Sequence, residues 1–175
     1  MPRRRRPRRA VPRGQDVVGR EAVTTLELAE DERFVAVKEA SGNLAQIMEI
    51  LRERPANFSV LSGDDAVTLP LIALGAEGIV SVASNEIPDL MSSMTELALA
   101  GNWTEARALH YRLLPLMEIN FIESSPGPVK AAMAMMGLLE ENFRLPLVPI
   151  TDKSRARIRE VIAELGLLET VHASA

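Results

Sequence analysis

The sequence predicts an α/β fold in which a few parallel strands, separated by helices, precede a wholly helical region. Three short apolar runs rich in β-branched residues, at 34–38, 58–61 and 78–83, have the composition of parallel strands buried on both faces. Between the first two runs, residues 43–54 carry apolar side chains at the spacing of one helix face. No further strand pattern follows residue 83. This order is typical of βαβ units that continue into helices.

The helices are predicted from the same periodicity. In the first one, four side chains are expected to pack inward: Leu44, Ile47, Met48 and Leu51. A later helix at 88–100 ends before Gly101, a residue type that commonly terminates helices. Thr104 is predicted to cap the next helix, which extends to residue 119 and is kinked or divided at Pro115.

Two more helices complete the chain. The helix predicted at 129–139 follows two prolines and carries three methionines that are expected to fill gaps in a core or an interface: Met133, Met135 and Met136. A last helix, opened by Asp152 or Ser154, ends at Gly166.

Charge is distributed very unevenly along the 175 residues. Residues 1–14 contain seven of the 20 basic residues and no acid, which leaves 13 basic against 24 acidic residues elsewhere. An arginine- and proline-rich arm cannot bury enough apolar surface to fold, so it is predicted to be disordered. Nucleic-acid binding is not expected, because no aromatic residue lies among the arginines. The predicted organisation is a disordered arm at 1–14, a strand-containing region at 15–87 and a helical region at 88–175.

The composition argues against several classes of site. Without cysteine there is no disulfide, thiol nucleophile or thiolate-bound metal. The two histidines, His110 and His172, are far apart in sequence, and no metal site is predicted. The longest apolar stretch, 66–82, is interrupted by Pro70 and Glu77, so no bilayer-spanning helix is expected. A cytoplasmic location is expected.

Candidate functional residues lie where the predicted strands end, because the loops that follow parallel strands open onto one face. Lys38 ends the first strand and is one of only three lysines. Partial desolvation at the end of an apolar strand would lower its pKa and favour attack of the free amine on a carbonyl. The alternative is a solvated surface charge paired with Glu39.

The second strand leads into Gly63, Asp64 and Asp65. Glycine allows a ligand to approach the backbone closely, and an aspartate could orient that ligand. Capping of the following helix is the alternative role for at least one of the aspartates.

A family resemblance extends over about residues 34–168 and is carried by five segments, in order, and by the last helix. The five segments are VAVKEASGNL at 35–44, LSGDD at 61–65, GAEGIVSV at 75–82, PGPVK at 126–130 and LPLVPIT at 145–151. Together they resemble the carboxyl-terminal part of the dihydrodipicolinate synthase family, which are pyruvate-dependent class I aldolases and lyases. The resemblance implies the last three or so strands of a (β/α)8 TIM barrel followed by a C-terminal helical extension. The SGDD segment favours this synthase over relatives that cleave sugar acids.

The resemblance also implies a reaction and a site. Members of the family condense pyruvate with aspartate semialdehyde in lysine biosynthesis, through a covalent lysine imine and without a cofactor. By this resemblance, Lys38 forms the Schiff base and Gly63 contacts the substrate. The backbone at Val80 faces the bound keto acid, and Arg20 binds the substrate carboxylate.

Two departures from the family leave alternatives open. Gln15 stands in the place of the proton-relaying tyrosine, and the only tyrosine, Tyr111, lies in the helical region. The second departure is length: a complete barrel takes about 250 residues, whereas these 175 residues contain three clear strand patterns. The sequence therefore favours a lyase with impaired activity; the alternatives are an inert fragment or subunit packed against a full-length paralogue, or a related keto-acid aldolase. A partial barrel leaves a strand edge uncovered, so a homo-oligomer is expected.

Overall fold

The computed structural model describes residues 22–168 of the chain. Within them, three parallel strands form one sheet in the order β1-β2-β3: β1 Ala36–Glu39, β2 Ser59–Ser62 and β3 Gly78–Ile79. Ala36 pairs with Ser59, and Leu61 pairs with Gly78, so that the three strands run in register toward one edge. The basic arm at 1–14 and Arg20 lie outside the described residues.

Within residues 22–168, seven helices pack on one face of this sheet and extend beyond it. They are α1 Ala22–Ala29, α2 Leu44–Glu53, α3 Thr68–Ala73, α4 Pro88–Leu99, α5 Trp103–Ile119, α6 Gly127–Met135 and α7 Asp152–Glu164. Two 3₁₀ turns, Asp65–Val67 and Ala83–Asn85, follow β2 and β3. The predicted α/β class and the change from strands to helices are therefore confirmed. None of the helices between residues 22 and 168 combines the length and apolarity needed to cross a bilayer.

Several helix ends follow from local capping. The side chain of Asn43 accepts a hydrogen bond from the backbone N–H of Gln46 and starts α2. Thr151 caps α7 in the same way, accepting from the N–H of Ser154, and the helix begins at Asp152, one of the two residues that the sequence suggested. Helix α4 ends where predicted, with Gly101 at a φ of 80°.

One prediction about the helical region is wrong: helix α5 begins at Trp103 after Asn102, so Thr104 is not its cap. Pro115, expected to kink or divide this helix, lies inside α5 without dividing it. Proline removes one backbone donor, and burial of the side chains on both sides of it, Leu113 and Leu116, holds the two halves of the helix in one core.

Helix α6 also departs from its predicted bounds of 129–139. It begins two residues earlier and ends at Met135. The chain then turns at Gly137, whose φ is 74°, and the N–H of Leu138 bonds back to the carbonyl of Met133 at 2.9 Å.

The largest core cluster joins the strand region to the helical region. Ala83 and Ile87 pack there with buried side chains of α4 to α7, including Met91, Leu116 and Ile158. Met135 and Met136 pack against the same cluster, as expected of methionines that fill gaps. The loop that follows β3 is therefore anchored in the core that the helices build.

The two faces of the sheet differ. Helices α1 and α2 cover one face, where Ala22 and Ile50 pack on Val60. The helix face of α2 is rotated relative to the prediction: Ile47 and Ile50 are buried, whereas Leu44 and Met48 are exposed. The opposite face carries exposed Ala36 and Lys38. Among the described residues, β1 pairs only with β2 and forms an edge of the sheet.

Candidate functional site

The carboxyl ends of the three strands bring Lys38, Gly63 and Val80 to one edge of the sheet. The N–H of Gly63 donates to the carbonyl of Glu39 at 2.7 Å, and the N–H of Val80 donates to the carbonyl of Ser62 at 2.7 Å. These bonds continue the parallel ladder one residue beyond the paired strands. The backbone alone therefore fixes the relative positions of the three segments.

All three positions lie on the same face of the sheet. Side chains alternate between the two faces of a strand, so Lys38 shares its face with residue 40, which stands level with Gly63. Val80 is exposed on this face, with 42% of its surface accessible. This face is the one that α1 and α2 leave open.

Gly63 lies directly against the side chain of Lys38. A Cβ atom at position 63 would lie 2.7 Å from Cε of Lys38, 2.8 Å from its Cγ and 2.9 Å from Cβ of Ala40. No real Cβ approaches other atoms so closely, so a larger residue here would displace the lysine. The absence of a side chain at 63 gives the lysine the space that its extended chain occupies.

Lys38 is exposed, because β1 is an edge strand and this face of the sheet is uncovered among the described residues. This exposure favours the solvated surface charge over the partial desolvation that the sequence suggested. The pairing with Glu39, however, is wrong. Glu39 is buried on the opposite face, where its Oε1 accepts from the N–H of Ser41 at 2.6 Å.

The segment after β2 is held by its own hydrogen bonds. Oδ1 of Asp64 accepts from the N–H of Ala66 at 3.0 Å and caps the 3₁₀ turn, which confirms the capping role expected for one aspartate. The hydroxyl of Ser62 donates to the carbonyl of Asp64 at 2.8 Å. These bonds fix the loop that carries Gly63.

Asp65 connects this loop to the one that follows β3. Its buried Oδ2 accepts from the N–H groups of Val82, at 3.0 Å, and Ala83, at 2.8 Å. These two amides are directed to the carboxylate rather than to a strand, which explains why β3 ends at Ile79 instead of the predicted residue 83. The loop with Val80 is therefore positioned through Asp65.

A buried glutamate lies next to Asp65; the sequence places it near the end of the third strand but gives it no role. Glu86 accepts a hydrogen bond at 2.6 Å from Nδ2 of Asn120, which lies at the end of α5. Burial, opposed by the hydrogen bond from Asn120 and reinforced by the negative charge of Asp65, raises the pKa of Glu86 to about 8. The only local signal is a glutamate in a stretch of small and apolar residues, and nothing in the sequence indicates its partner 34 positions away.

Across residues 22–168, no three His, Asp or Glu side chains are grouped so that they could hold a metal ion. Arg20, the expected carboxylate ligand, falls outside this range, and its placement near Lys38 remains a prediction. The site as described thus consists of one exposed lysine, a glycine beside it and a backbone segment at Val80.

Residues 12–165 match the sequence profile of the Dihydrodipicolinate synthetase family. The chain belongs to this family. A 4-hydroxy-tetrahydrodipicolinate synthase from Koribacter versatilis is 51% identical over 156 residues, which cover 89% of this chain and 52% of the relative. The chain spans about half the length of the curated relatives it matches.

Solved structures of dihydrodipicolinate synthases have the same architecture. The enzyme from Aquifex aeolicus is 42% identical, with a TM-score of 0.82 over 85% of this chain and 52% of that one. The chloride-inhibited enzyme from Acinetobacter baumannii, complexed with pyruvate, is 33% identical with a TM-score of 0.81, over 85% of this chain and 51% of that one. The three-stranded sheet and its helices therefore correspond to part of a (β/α)8 TIM barrel with its helical extension, as the sequence predicted.

Proposed function

We propose that the chain acts in the condensation of pyruvate with aspartate semialdehyde, and that Lys38 is the residue that binds pyruvate covalently. The observation that carries this proposal is the contact between Lys38 and Gly63 at the carboxyl ends of adjacent parallel strands. Reactive groups of parallel α/β proteins lie at these ends. Pyruvate is bound by a dihydrodipicolinate synthase of similar structure, which supports the choice of keto acid.

The chemistry needs one free amine and no cofactor. Nζ of Lys38 attacks C2 of pyruvate, the carbonyl oxygen leaves as water, and a C=N bond replaces the C=O bond. The positive imine then withdraws electrons, so that C3 loses a proton and becomes the nucleophile that attacks the aldehyde carbon. Hydrolysis of the imine releases the product and restores the amine.

The remaining site residues serve to place the keto acid. Gly63 leaves room for the lysine and for the substrate beside it. The backbone of Val80 lies level with Gly63 on the open face, where it can contact the bound keto acid. Arg20 is proposed to bind the substrate carboxylate through its planar guanidinium, a geometry suited to a carboxylate.

The efficiency of the reaction depends on proton transfer. The only tyrosine, Tyr111, lies exposed on α5 and contacts the ring of His110. We therefore propose that a homo-oligomer of this chain, in the cytoplasm, catalyses the reaction only weakly. A subunit without activity of its own, bound to a full-length paralogue, is the second candidate, and the lack of another tyrosine favours it.

Exchange of the pyruvate methyl protons with deuterium tests the proposed chemistry without the aldehyde. We expect exchange above the buffer background for the wild-type protein, because the imine acidifies C3. Lys38→Arg should abolish it, and Lys153→Arg, which changes an exposed lysine on α7, should not. Equal exchange by the wild type and Lys38→Arg would refute the role of Lys38. Copurification with a full-length synthase, without exchange, would support the second candidate.

A further inference from the structure

Three polar side chains meet in the interior between the loop after β2, the turn before α4 and the end of α5. Asp65, Glu86 and Asn120 are at most 4% exposed. One oxygen of each has no hydrogen-bond partner within the described structure: Oδ1 of Asp65, Oε1 of Glu86 and Oδ1 of Asn120. Buried acceptors are normally paired, so three unpaired oxygens in one cluster require an explanation.

A proton on Glu86 accounts for two of these three oxygens without an extra ligand. The free oxygens are all acceptors, and an ionised carboxylate has no hydrogen to donate. If Oε1 of Glu86 is protonated, it becomes the donor for Oδ1 of either Asn120 or Asp65. One proton thereby satisfies two of the three unpaired oxygens, while Nδ2 of Asn120 keeps its bond to Oε2 of Glu86.

The charges around the cluster favour the same protonation state. Burial is the main cause of the raised pKa of Glu86, and the negative charge of nearby Asp65 acts in the same direction. His110, also buried on α5, has its pKa lowered by burial and supplies no positive charge at neutral pH. Helices α4, α5 and α6 carry the other charged side chains near the cluster. Lys130 of α6 is bonded to the carbonyl of Asn142. The remaining ones, on α4 and α5, are exposed: Asp89, Glu96, Glu105, Arg107, Arg112 and Glu118.

We propose that Glu86 is a neutral carboxylic acid at neutral pH and that its proton closes a buried network which positions the candidate site. The link to the site is Asp65, whose other oxygen holds the N–H groups of Val82 and Ala83. Ionisation of Glu86 would place two negative charges together in the interior and displace Asp65 from these amides. Glu86 is thus a positioning residue for the loop that begins at Val80. Only the statement that this loop contacts substrate rests on the proposed function.

Protonation of Glu86 is tested by the pH dependence of the free energy of unfolding. The pKa of Glu86 is higher in the folded state than in the unfolded chain. The free energy of unfolding is therefore greatest when the pH is below the pKa of the unfolded chain, and it falls as the pH rises toward about 8. Urea unfolding of the wild type should show this fall between pH 5 and pH 8. Glu86→Gln, which resembles the protonated acid, should lack it, and Glu118→Gln, which alters an exposed glutamate of α5, should keep it.

Equal slopes for the wild type and Glu86→Gln would overturn the proposal. It would also be overturned if added potassium or calcium ions raised the unfolding midpoint of the wild type but not of Glu86→Gln, because a cation would then neutralise the cluster. Should Glu86→Gln fail to fold, ¹³C NMR of the wild type decides. One glutamate carboxyl should titrate near pH 8, and titration of every glutamate below pH 6 would refute the assignment.

The positioning role is tested by hydrogen exchange at Val82 and Ala83. After correction for intrinsic exchange, protection of these amides should fall at least tenfold between pH 7 and pH 9 in the wild type, and much less in Glu86→Gln. The same change in both proteins would show that Glu86 does not position the loop. These readouts need no catalysis. If the wild type forms no pyruvate adduct but passes both tests, the proposed function fails and the buried network stands.

Discussion

Gly63 and Lys38, on adjacent parallel strands, pack so closely that a single added methyl group at position 63 would lie 2.7 Å from Cε of the lysine. The contact involves the aliphatic chain of Lys38, and the residue as a whole is exposed. A glycine thereby determines where the proposed nucleophile can extend.

Gly63→Ala should move Lys38 and reduce formation of the pyruvate adduct about tenfold or more, equivalent to about 1.4 kcal/mol. The steric conflict should also lower the free energy of unfolding by about 1–3 kcal/mol. Gly101→Ala is the matched control: its φ of 80° is unfavourable for alanine, but a Cβ there meets no atom within 4 Å. We expect this control to lose stability, by about 1–2 kcal/mol, with unchanged adduct formation. Equal adduct yields for the two variants would argue against the steric role of Gly63.

The edge strand β1 predicts self-association. Val35, just before β1, has 67% of its surface exposed, and its carbonyl accepts from the N–H of Ser59 on the paired side. Charged residues at strand edges discourage pairing with other chains. In sedimentation experiments Val35→Lys should therefore shift the protein toward smaller species, whereas Val148→Lys, at an exposed loop position, should not. A wild-type protein that is monomeric at every concentration would contradict this prediction.

An ion pair lies at the amino ends of the strands, away from the carboxyl ends that carry Lys38 and Gly63. Nη1 of Arg54 lies 2.5 Å from Oε1 of Glu77, and Oε2 of Glu77 accepts from the N–H of buried Val60 at 2.8 Å. Glu77→Ala would leave that amide unpaired and should lower the free energy of unfolding by about 1–2 kcal/mol. Glu77→Gln can still accept from Val60 and should lose less, as measured by urea unfolding. Adduct formation should be unaffected, since these residues lie at the end of the sheet away from Lys38; a larger loss for Glu77→Gln would contradict the bond to Val60.

His110 should make the protein sensitive to acid. Burial lowers the pKa of His110, so below its usual pKa the unfolded chain takes up a proton that the folded chain does not. Stability contributed by the neutral ring is present above pH 6.5 and is lost as the pH falls through the lower folded value. The unfolding midpoint of His110→Phe, measured relative to that of the wild type at the same pH, should therefore rise as the pH falls from 7 to 5. This comparison cancels the opposite contribution expected from Glu86, and a difference that stays constant over this range would exclude His110 as a source of acid sensitivity.

Sequence patterns located the strands and the Lys38 and Gly63 positions because both are local properties. A β-branched run predicts a strand, and parallel strands align their carboxyl ends. What the patterns missed depends on contacts between distant residues. The early end of β3 results from Asp65 binding the amides of Val82 and Ala83, and Asn120 meets Glu86 only after α5 folds back.

The orientation of α2 was predicted in part. Its apolar residues span more than one face, and the choice between them depends on α1 and α3, which pack around it. Ile50 packs in the cluster that contains Ala22, and Ile47 packs against Leu71, which leaves Leu44 and Met48 outside. Helical periodicity gives the existence of an apolar face more reliably than its exact direction.

Reduction with borohydride in the presence of pyruvate, followed by peptide mass spectrometry, locates the reactive amine. The imine at Lys38 should be trapped as a stable secondary amine on the peptide that contains residue 38. Lys130 and Lys153 should remain unmodified, and Lys38→Arg should give no adduct. No adduct in the wild type, or one distributed equally over the three lysines, would contradict the assignment of Lys38 as the Schiff-base residue.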